Sequence, residues 1–225
     1  MQTIHDDDLV KNIPHLKKYP NYLPFISEGY SNSNKKVLII GESHYLHKKY
    51  NDKVSETAWY DNHHNTNQML KDNISGMNTR AVINDFNGSS RTIKPYRIFL
   101  NLESAFSQVF PYRNLFKECI FINYFQRPAE RNGASIIASK RDHDVAFANI
   151  SELVSRFNPD KVIFVSRKAF DSYKSNVPQV DYKKINVVPH PASAWWNKKT
   201  MKYGLNNEPS TGREKFIRII SAKNE

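Results

Sequence analysis

Length, composition and charge already exclude several classes of protein. The 225 residues fit a single domain over 1–225 more readily than two small ones, and no 18-residue apolar run is present to cross a membrane. One cysteine excludes an internal disulfide framework, and the polar, acidic first residues are unlike a signal peptide, so we expect a cytoplasmic protein. The formal net charge of +11 favours nucleic acid as a partner, but solubility explains it equally well.

The first predicted strand is the segment around which the other motifs are arranged. Residues 1–34 form a polar lead-in, where Asp6–Lys18 has the pattern of a short helix ended by the prolines that follow. Val37–Ile40 is wholly apolar and rich in β-branched residues, which predicts a strand buried on both faces. The strand ends at Gly41, and polar or aromatic side chains follow at once.

The middle of the chain has the weakest pattern. Residues 46–92 are dense in asparagine, aspartate, histidine and lysine, and they are predicted to be irregular or a helical insertion. Within them, Ser55–Leu70 has a helical pattern with Ser55 as its cap, and Asn87–Ser90 is predicted to be a loop. Tyr96–Phe110 then carries apolar residues at a helical period.

Strands and helices alternate in the second half of the chain. Strands are predicted at Cys119–Tyr124, Lys161–Val165 and Ile185–Val188, and helices within Ala134–Phe157, Ser166–Tyr173 and Arg213–Ala222. This alternation predicts an α/β fold with a parallel sheet and right-handed crossovers. Because parallel strands end at one edge, we expect the polar residues that follow them to meet in one cleft: Glu42–Tyr45, Asn123–Pro128, Ser166–Arg167 and His190–Ser193.

Three of these motifs resemble the uracil-DNA glycosylase superfamily. Gly41-Glu-Ser-His-Tyr45 resembles its first motif, which is Gly-Gln-Asp-Pro-Tyr in one branch and Gly-Glu-Ala-Pro-Gly in the iron–sulfur branch. Phe121-Ile-Asn-Tyr-Phe-Gln-Arg-Pro128 resembles the strand that carries an asparagine and ends in Arg-Pro, and His190-Pro-Ala-Ser193 resembles the His-Pro-Ser motif. The motifs occur in the family's order over roughly residues 35–222.

The resemblance implies a three-layer α/β/α sandwich around a four-stranded parallel sheet. It also implies a monomer without cofactor or metal that binds DNA and hydrolyses the N-glycosidic bond of a flipped damaged base, uracil or a deaminated purine. By resemblance, Glu42 orients water or stabilises cationic character on the sugar, and His190 donates a hydrogen bond to the carbonyl that gains charge. Both residues are therefore expected to be catalytic.

The same resemblance implies which residues bind the base and the DNA. Tyr45 packs against the base, Asn123 reads its polar edge, and Ser43 and His44 complete the base-binding set. A wedge that fills the space of the flipped base is expected near Ala194-Trp-Trp196. Contacts to DNA are expected from the following residues: Arg127, Ser193, Trp195, Trp196, Lys198 and Lys199.

Several alternatives remain open from the sequence. Ser43 stands where one branch of the family has a water-positioning aspartate, so the chain is alternatively an inactive nucleic-acid- or nucleotide-binding module on the same fold. A hydrolase that uses Ser43 with His190 lacks the glycine that a nucleophile elbow needs at position 45. His44 and His47, with His63 and His64, match no strong metal-ligand spacing.

Overall fold

The structure, a computed structural model, describes residues 3–61, 71, 76–88 and 96–222 of the chain. The fold is mixed α/β, with a five-stranded, mostly parallel sheet in the order β1-β3-β2-β4-β5 and a two-stranded sheet of β6 and β7. The strands, in chain order, are β1 (Phe25–Ile26), β2 (Val37–Gly41), β3 (Cys119–Asn123), β4 (Lys161–Phe164), β5 (Ile185–Val187), β6 (Thr200–Leu205) and β7 (Glu208–Ser210).

The central strands confirm the predictions made from their apolar runs. Every residue of β2 and β4 is buried, and Val37–Ile40 pairs in parallel with Lys161–Phe164. β4 pairs in parallel with β5 in turn. Strands buried on both faces read as continuous apolar segments, which is why the sequence indicated them. Cys119 is fully buried at the start of β3, as expected of a small hydrophobic residue.

The prediction of a four-stranded sheet is wrong by one strand. The additional strand, β1, contains only Phe25–Ile26 and lies beside β3 at the edge of the sheet. Two residues carry no periodicity, and Pro24 directly before them points to a loop, so the pattern of the lead-in could not reveal the strand.

Among the described residues, the helices with a predicted serine N-cap begin at the predicted positions. Ser55 and Ser166 accept hydrogen bonds from the amides of Ala58 and Ala169, as N-caps do. None of the described helices is long and apolar enough to cross a bilayer. In chain order they are α1 (Asp6–Asn12), α2 (Pro14–Lys18), α3 (Glu56–Tyr60), α4 (Thr79–Gly88), α5 (Arg97–Phe106), α6 (Lys140–Phe157), α7 (Arg167–Ser175) and α8 (Gly212–Ser221).

In the middle of the chain, part of a predicted loop is helical, and a predicted helix is described only in part. Asn87 and Gly88 were predicted to lie in a loop, but they are the last two residues of α4. The predicted helix over Ser55–Leu70 is present as α3 over its first turn and a half, and residues 62–70 lie outside the described residues, as do His63 and His64.

The described residues fall into two compact units, each assembled from three segments. The first unit comprises Met1–Phe25, Gly41–Asn84 and Phe121–Phe157. The second comprises Ile26–Ile40, Asp85–Ile120 and Asn158–Glu225. The residues predicted to form the site divide between the two units: Glu42–Tyr45 and Asn123–Arg127 belong to the first, and His190–Lys199 to the second.

Candidate functional site

Two loops of the first unit run side by side beyond the ends of β2 and β3. The amide of Phe125 donates to the carbonyl oxygen of Glu42 at 2.9 Å, and the amide of Ala129 donates to that of His44 at 3.0 Å. Tyr45 and Ala129 continue the parallel pairing as an isolated bridge. The two motifs, distant in sequence, therefore form one backbone framework beyond the carboxyl end of β2, where open α/β sheets bind ligands.

The position of Asn123 explains why residue 41 is glycine. A Cβ atom on Gly41 would lie 2.1 Å from Asn123 Oδ1 and 3.2 Å from the ring of Phe121. Gly41 is not among the residues with positive φ, so the requirement for glycine is steric rather than conformational. The half-exposed carboxamide of Asn123 is thus seated directly over the last residue of β2, with both donor and acceptor atoms to offer.

We expect Gly41→Ala to displace Asn123 and to lower the free energy of unfolding by about 1–3 kcal/mol, the usual cost of overpacking. Gly88→Ala is the matched control, because a Cβ atom there would meet nothing within 4 Å. As a helix-end Gly→Ala change it should be neutral or slightly stabilising. Urea denaturation of both variants measures the difference, and equal stabilities would contradict the close approach of Asn123.

The carboxylate of Glu42 contacts the loop that leads into α6. Glu42 Oε1 accepts a hydrogen bond from the hydroxyl of Ser135 and another from the amide of Ile136 at 3.3 Å. Burial raises the pKa of Tyr45, and the charge of Glu42, three residues earlier in the chain, raises it further. We call Gly41, Glu42, Tyr45, Asn123 and Ser135 the strand-end cluster.

Ser43 and His44 point into the protein interior instead. The hydroxyl of Ser43 is buried and has no hydrogen-bond partner among the described residues. His44 is buried against the ring of Tyr22, 5.0 Å away between centroids, with Nδ1 3.2 Å from the carbonyl oxygen of Gly76 and Nε2 3.1 Å from the Thr79 hydroxyl. Since a carbonyl only accepts, Nδ1 carries the proton and Nε2 accepts from Thr79. This engagement favours a structural role for His44.

Arg127 is a buried structural cation, which corrects its predicted contact to DNA. Its side chain is 2% exposed and forms a bidentate pair with Asp142, with both N–O distances at 2.8 Å. The same guanidinium donates to Glu130 at 2.7 Å and to the carbonyl oxygen of Ile137 at 2.8 Å. With its donors directed at these partners and almost no exposure, Arg127 does not reach a phosphate.

In the second unit, two contacts hold the His190 loop. A Cβ atom on Gly212 would lie 2.1 Å from Pro189 Cγ, so α8 begins directly against this proline. The side chain of Asn101 donates to the carbonyl oxygen of Pro191 at 2.7 Å. His190 thus lies between Pro189, which packs against α8, and Pro191, which accepts a hydrogen bond, and these two prolines fix its main chain.

The hydrogen bonding of His190 determines which ring nitrogen carries the proton. The backbone amide of Ala192 donates to His190 Nδ1 at 3.3 Å. Because Nδ1 accepts, the neutral ring carries its proton on Nε2. The half-exposed ring therefore offers an Nε2–H donor, the form that a role in stabilising a developing negative charge requires.

The residues after His190 divide into exposed and buried positions. Trp195 is 47% exposed, and the ammonium group of Lys198 lies 5.2 Å from its ring centroid. Trp196 is 1% exposed and packs against Phe216, so its predicted contact with DNA is corrected to a core role. Lys199 is exposed, and Ser193 is half-buried. Of the two tryptophans, only Trp195 can serve as a wedge.

The structure thus brings part of the predicted site together. Glu42, Tyr45 and Asn123 lie within the strand-end cluster of the first unit, and His190 belongs to the second unit. That His190 shares a pocket with Glu42 stays a prediction. Ser135 was missed, because a serine in a loop carries no sequence signal until its partner is known. Within the described residues, no group of histidine, cysteine, aspartate and glutamate side chains is arranged to hold a metal ion.

Comparison with known proteins gives no match: no family model, no curated protein and no solved structure is significantly similar to this chain.

Proposed function

We propose that this protein is a DNA glycosylase-like enzyme with the uracil-DNA glycosylase-like three-layer fold, which hydrolyses the N-glycosidic bond of a flipped damaged base. The observation that carries the proposal is the strand-end cluster. A carboxylate, a phenol and a carboxamide lie beyond the ends of two neighbouring strands, over a glycine that makes room for the carboxamide. These are the groups that stacking, reading and releasing a base require.

The strand order supports a ligand site at this position. From β2 the chain goes to β3 on one side and then to β4 on the other, so β2 is the strand at which the order reverses. In open α/β sheets, ligands bind beyond the carboxyl ends of strands at such a point. Glu42 is the first residue after β2.

Each residue has a chemical role in the proposed reaction. Tyr45 stacks on the flipped base, and Asn123 donates to and accepts from its pairing edge. The oxygen of a water molecule, oriented by Glu42, bonds to C1′ of the sugar as the N-glycosidic bond breaks, and the water gives up a proton. The base leaves as an anion, whose charge the Nε2–H group of His190 stabilises until the base takes up a proton.

The test uses oligonucleotides that contain uracil, hypoxanthine or xanthine, single- and double-stranded, followed by alkaline cleavage at abasic sites. We expect one of them to be cleaved, and we expect Glu42→Gln and His190→Gln each to lower the rate about a hundredfold, the usual scale for removing one general base or one charge-stabilising donor. Glu28→Gln is the matched control, since Glu28 is an exposed glutamate of the second unit outside the proposed site, and it should retain the full rate. No cleavage of any substrate at high enzyme concentration would remove the proposal.

A second candidate is favoured by the burial of Ser43. At the position where one branch of the family has an aspartate, this chain has a buried serine hydroxyl, which cannot act as a general base at neutral pH. The alternative is an inactive nucleic-acid- or nucleotide-binding module. It predicts DNA binding that survives Glu42→Gln and His190→Gln without product, and a binding curve insensitive to salt would rule it out.

A further inference from the structure

Almost all of the net positive charge of the chain lies in the second unit. Its three segments contain 20 of the 33 lysines and arginines but only 10 of the 22 aspartates and glutamates, which leaves ten of the eleven net positive charges there. The segments of the first unit are close to neutral. Charge that is scattered for solubility would be shared more evenly between the two units.

Four cations converge around Tyr203 on strand β6. The ammonium group of Lys215, on α8, lies 5.9 Å from the centroid of the Tyr203 ring. The guanidinium of Arg218, one turn further along α8, donates to the carbonyl oxygen of Tyr203 at 2.6 Å and to the Ser210 hydroxyl at 2.8 Å. Lys202 precedes Tyr203, and the charge of Arg167, at the start of α7, acts on both Tyr203 and Lys215.

Lys215 is the member of this group whose surroundings disfavour its charge. Burial lowers the pKa of Lys215, and the charges of Arg167, Arg218 and Lys202 lower it further. Each of these influences has the same direction. Lys215 has no ion-pair partner in the part of the chain that the structure describes. The fold therefore holds a half-buried ammonium group among like charges.

The nearby carboxylates do not relieve this repulsion. Asp171 is paired with Arg167 at 2.8 Å on the exposed side of α7. Glu214 belongs to the capping box of α8, where its Oε2 accepts from the amide of Thr211 at 2.7 Å and from the Ser210 hydroxyl at 2.9 Å. A bound anion is the simplest group that would satisfy the cations, because it replaces the mutual repulsion by attraction.

We propose that Arg167, Lys202, Lys215 and Arg218, grouped around Tyr203, form a site for a phosphate group of the nucleic-acid backbone. The choice of nucleic acid as the source of the phosphate rests on the proposed function and on the segment that leads into β6. There an exposed tryptophan, Trp195, is followed by the exposed cations Lys198 and Lys199, and the ammonium group of Lys198 lies over its ring. Exposed aromatic rings among cations are typical of surfaces that hold both bases and phosphates.

The experiment measures binding of a labelled, undamaged oligonucleotide by fluorescence anisotropy as a function of salt. We expect Lys215→Met to weaken binding roughly tenfold and to reduce the slope of log affinity against log salt by about one, the signature of one lost phosphate contact. Lys117→Met removes an exposed lysine elsewhere in the second unit, and it should change the affinity and the salt slope far less. Lys202→Met removes an exposed lysine of the cluster, so it should lower the slope as Lys215→Met does.

A second measurement separates loss of binding from loss of folding. The melting temperature of Lys215→Met should equal or exceed that of the wild type, because the change removes a half-buried charge from among like charges. Inorganic phosphate should raise the melting temperature of the wild type more than that of Lys215→Met. An unchanged salt slope in both lysine variants would overturn the inference, as would binding to phosphatidylserine vesicles without binding to the oligonucleotide. Because the oligonucleotide is undamaged, a missing glycosylase activity would remove only the proposed function.

Discussion

Replacing Asp142 by alanine is expected to lower the free energy of unfolding by about 3–5 kcal/mol, the usual cost of removing one member of a buried ion pair. Asp142 is fully buried, and its carboxylate holds both Nε and Nη2 of Arg127 at 2.8 Å. The hydroxyl of Tyr60 donates to the same carboxylate at 3.0 Å. The alanine variant therefore removes the bidentate partner of the guanidinium, which keeps its bond to Glu130, and it removes the acceptor of the Tyr60 phenol. Urea denaturation measures the loss.

Asp144→Ala is the matched control for this prediction. Asp144 lies two residues further along α6, but it is 55% exposed, and its pair with Lys140 is a surface pair. Its removal should cost no more than about 1 kcal/mol. The double variant Arg127→Met with Asp142→Leu should recover part of the loss, since apolar residues of similar size often replace a buried ion pair at little cost. Similar losses in the Asp142 and Asp144 variants would contradict the assigned burial.

The ion pair also positions the strand-end cluster. Arg127 donates to the carbonyl oxygen of Ile137, and Glu130, its other partner, accepts from the amide of Ile137 at 2.8 Å. These bonds fix both ends of the loop that carries Ser135 to the carboxylate of Glu42. We therefore expect any activity that depends on Glu42 to fall in Asp142→Ala even at temperatures where the variant is folded.

The sequence predicted the strands that are buried along their whole length and the helices that begin with a capping motif. β2 and β4 are buried on both faces, so their apolar runs were sufficient. α8 begins with the capping box of Thr211 and Glu214, within one residue of its predicted start. A motif of Ser139 and Asp142 likewise exchanges hydrogen bonds at the start of α6 and could have indicated that boundary, which was predicted only as lying after Ala134.

The elements that were missed depend on pairing rather than on local pattern. The hairpin of β6 and β7 turns at Asn206 and Asn207, which both have positive φ. Two adjacent asparagines are a recognised turn signal, but the strands beside them are largely exposed and carry no apolar alternation. The end of α4 was assigned to a loop because its asparagine and glycine have low helix propensity, which tertiary packing of Ile83 and Phe86 overrides.

In the candidate site, the sequence predicted which segments meet but not which way each side chain points. Position at the end of a strand predicted that Glu42, Tyr45 and Asn123 share one region, and backbone hydrogen bonds join the two segments that carry them. The same criterion could not tell that Arg127 turns inward, since its partner Asp142 lies on a helix fifteen residues later in the chain. An arginine beside a proline has the same appearance in sequence whether it faces solvent or a buried carboxylate.

His44 and His15 give the first unit a dependence of stability on pH. Burial lowers the pKa of His44 to about 4 against an ordinary value of 6.5, although its hydrogen bond with Gly76 opposes the shift. Burial also lowers the pKa of His15 to about 4. His15 is only half-buried, so its contribution to stability is the smaller one. Both rings pack against Tyr22, and in the folded protein both are neutral near pH 7.

The free energy of unfolding should therefore fall as pH falls from about 6.5 to about 4, by roughly 3 kcal/mol for His44 alone. In this window the unfolded chain binds protons that the folded chain excludes, so acid favours unfolding; above pH 6.5 the contribution is fully present. Urea denaturation at closely spaced pH values measures the slope. His44→Gln should flatten the curve, whereas His47→Asn, which removes an exposed histidine, should leave it parallel to the wild type. A wild-type curve that is level between pH 6.5 and 4 would show that the buried rings admit protons freely, and the packing assigned to His44 would then be wrong.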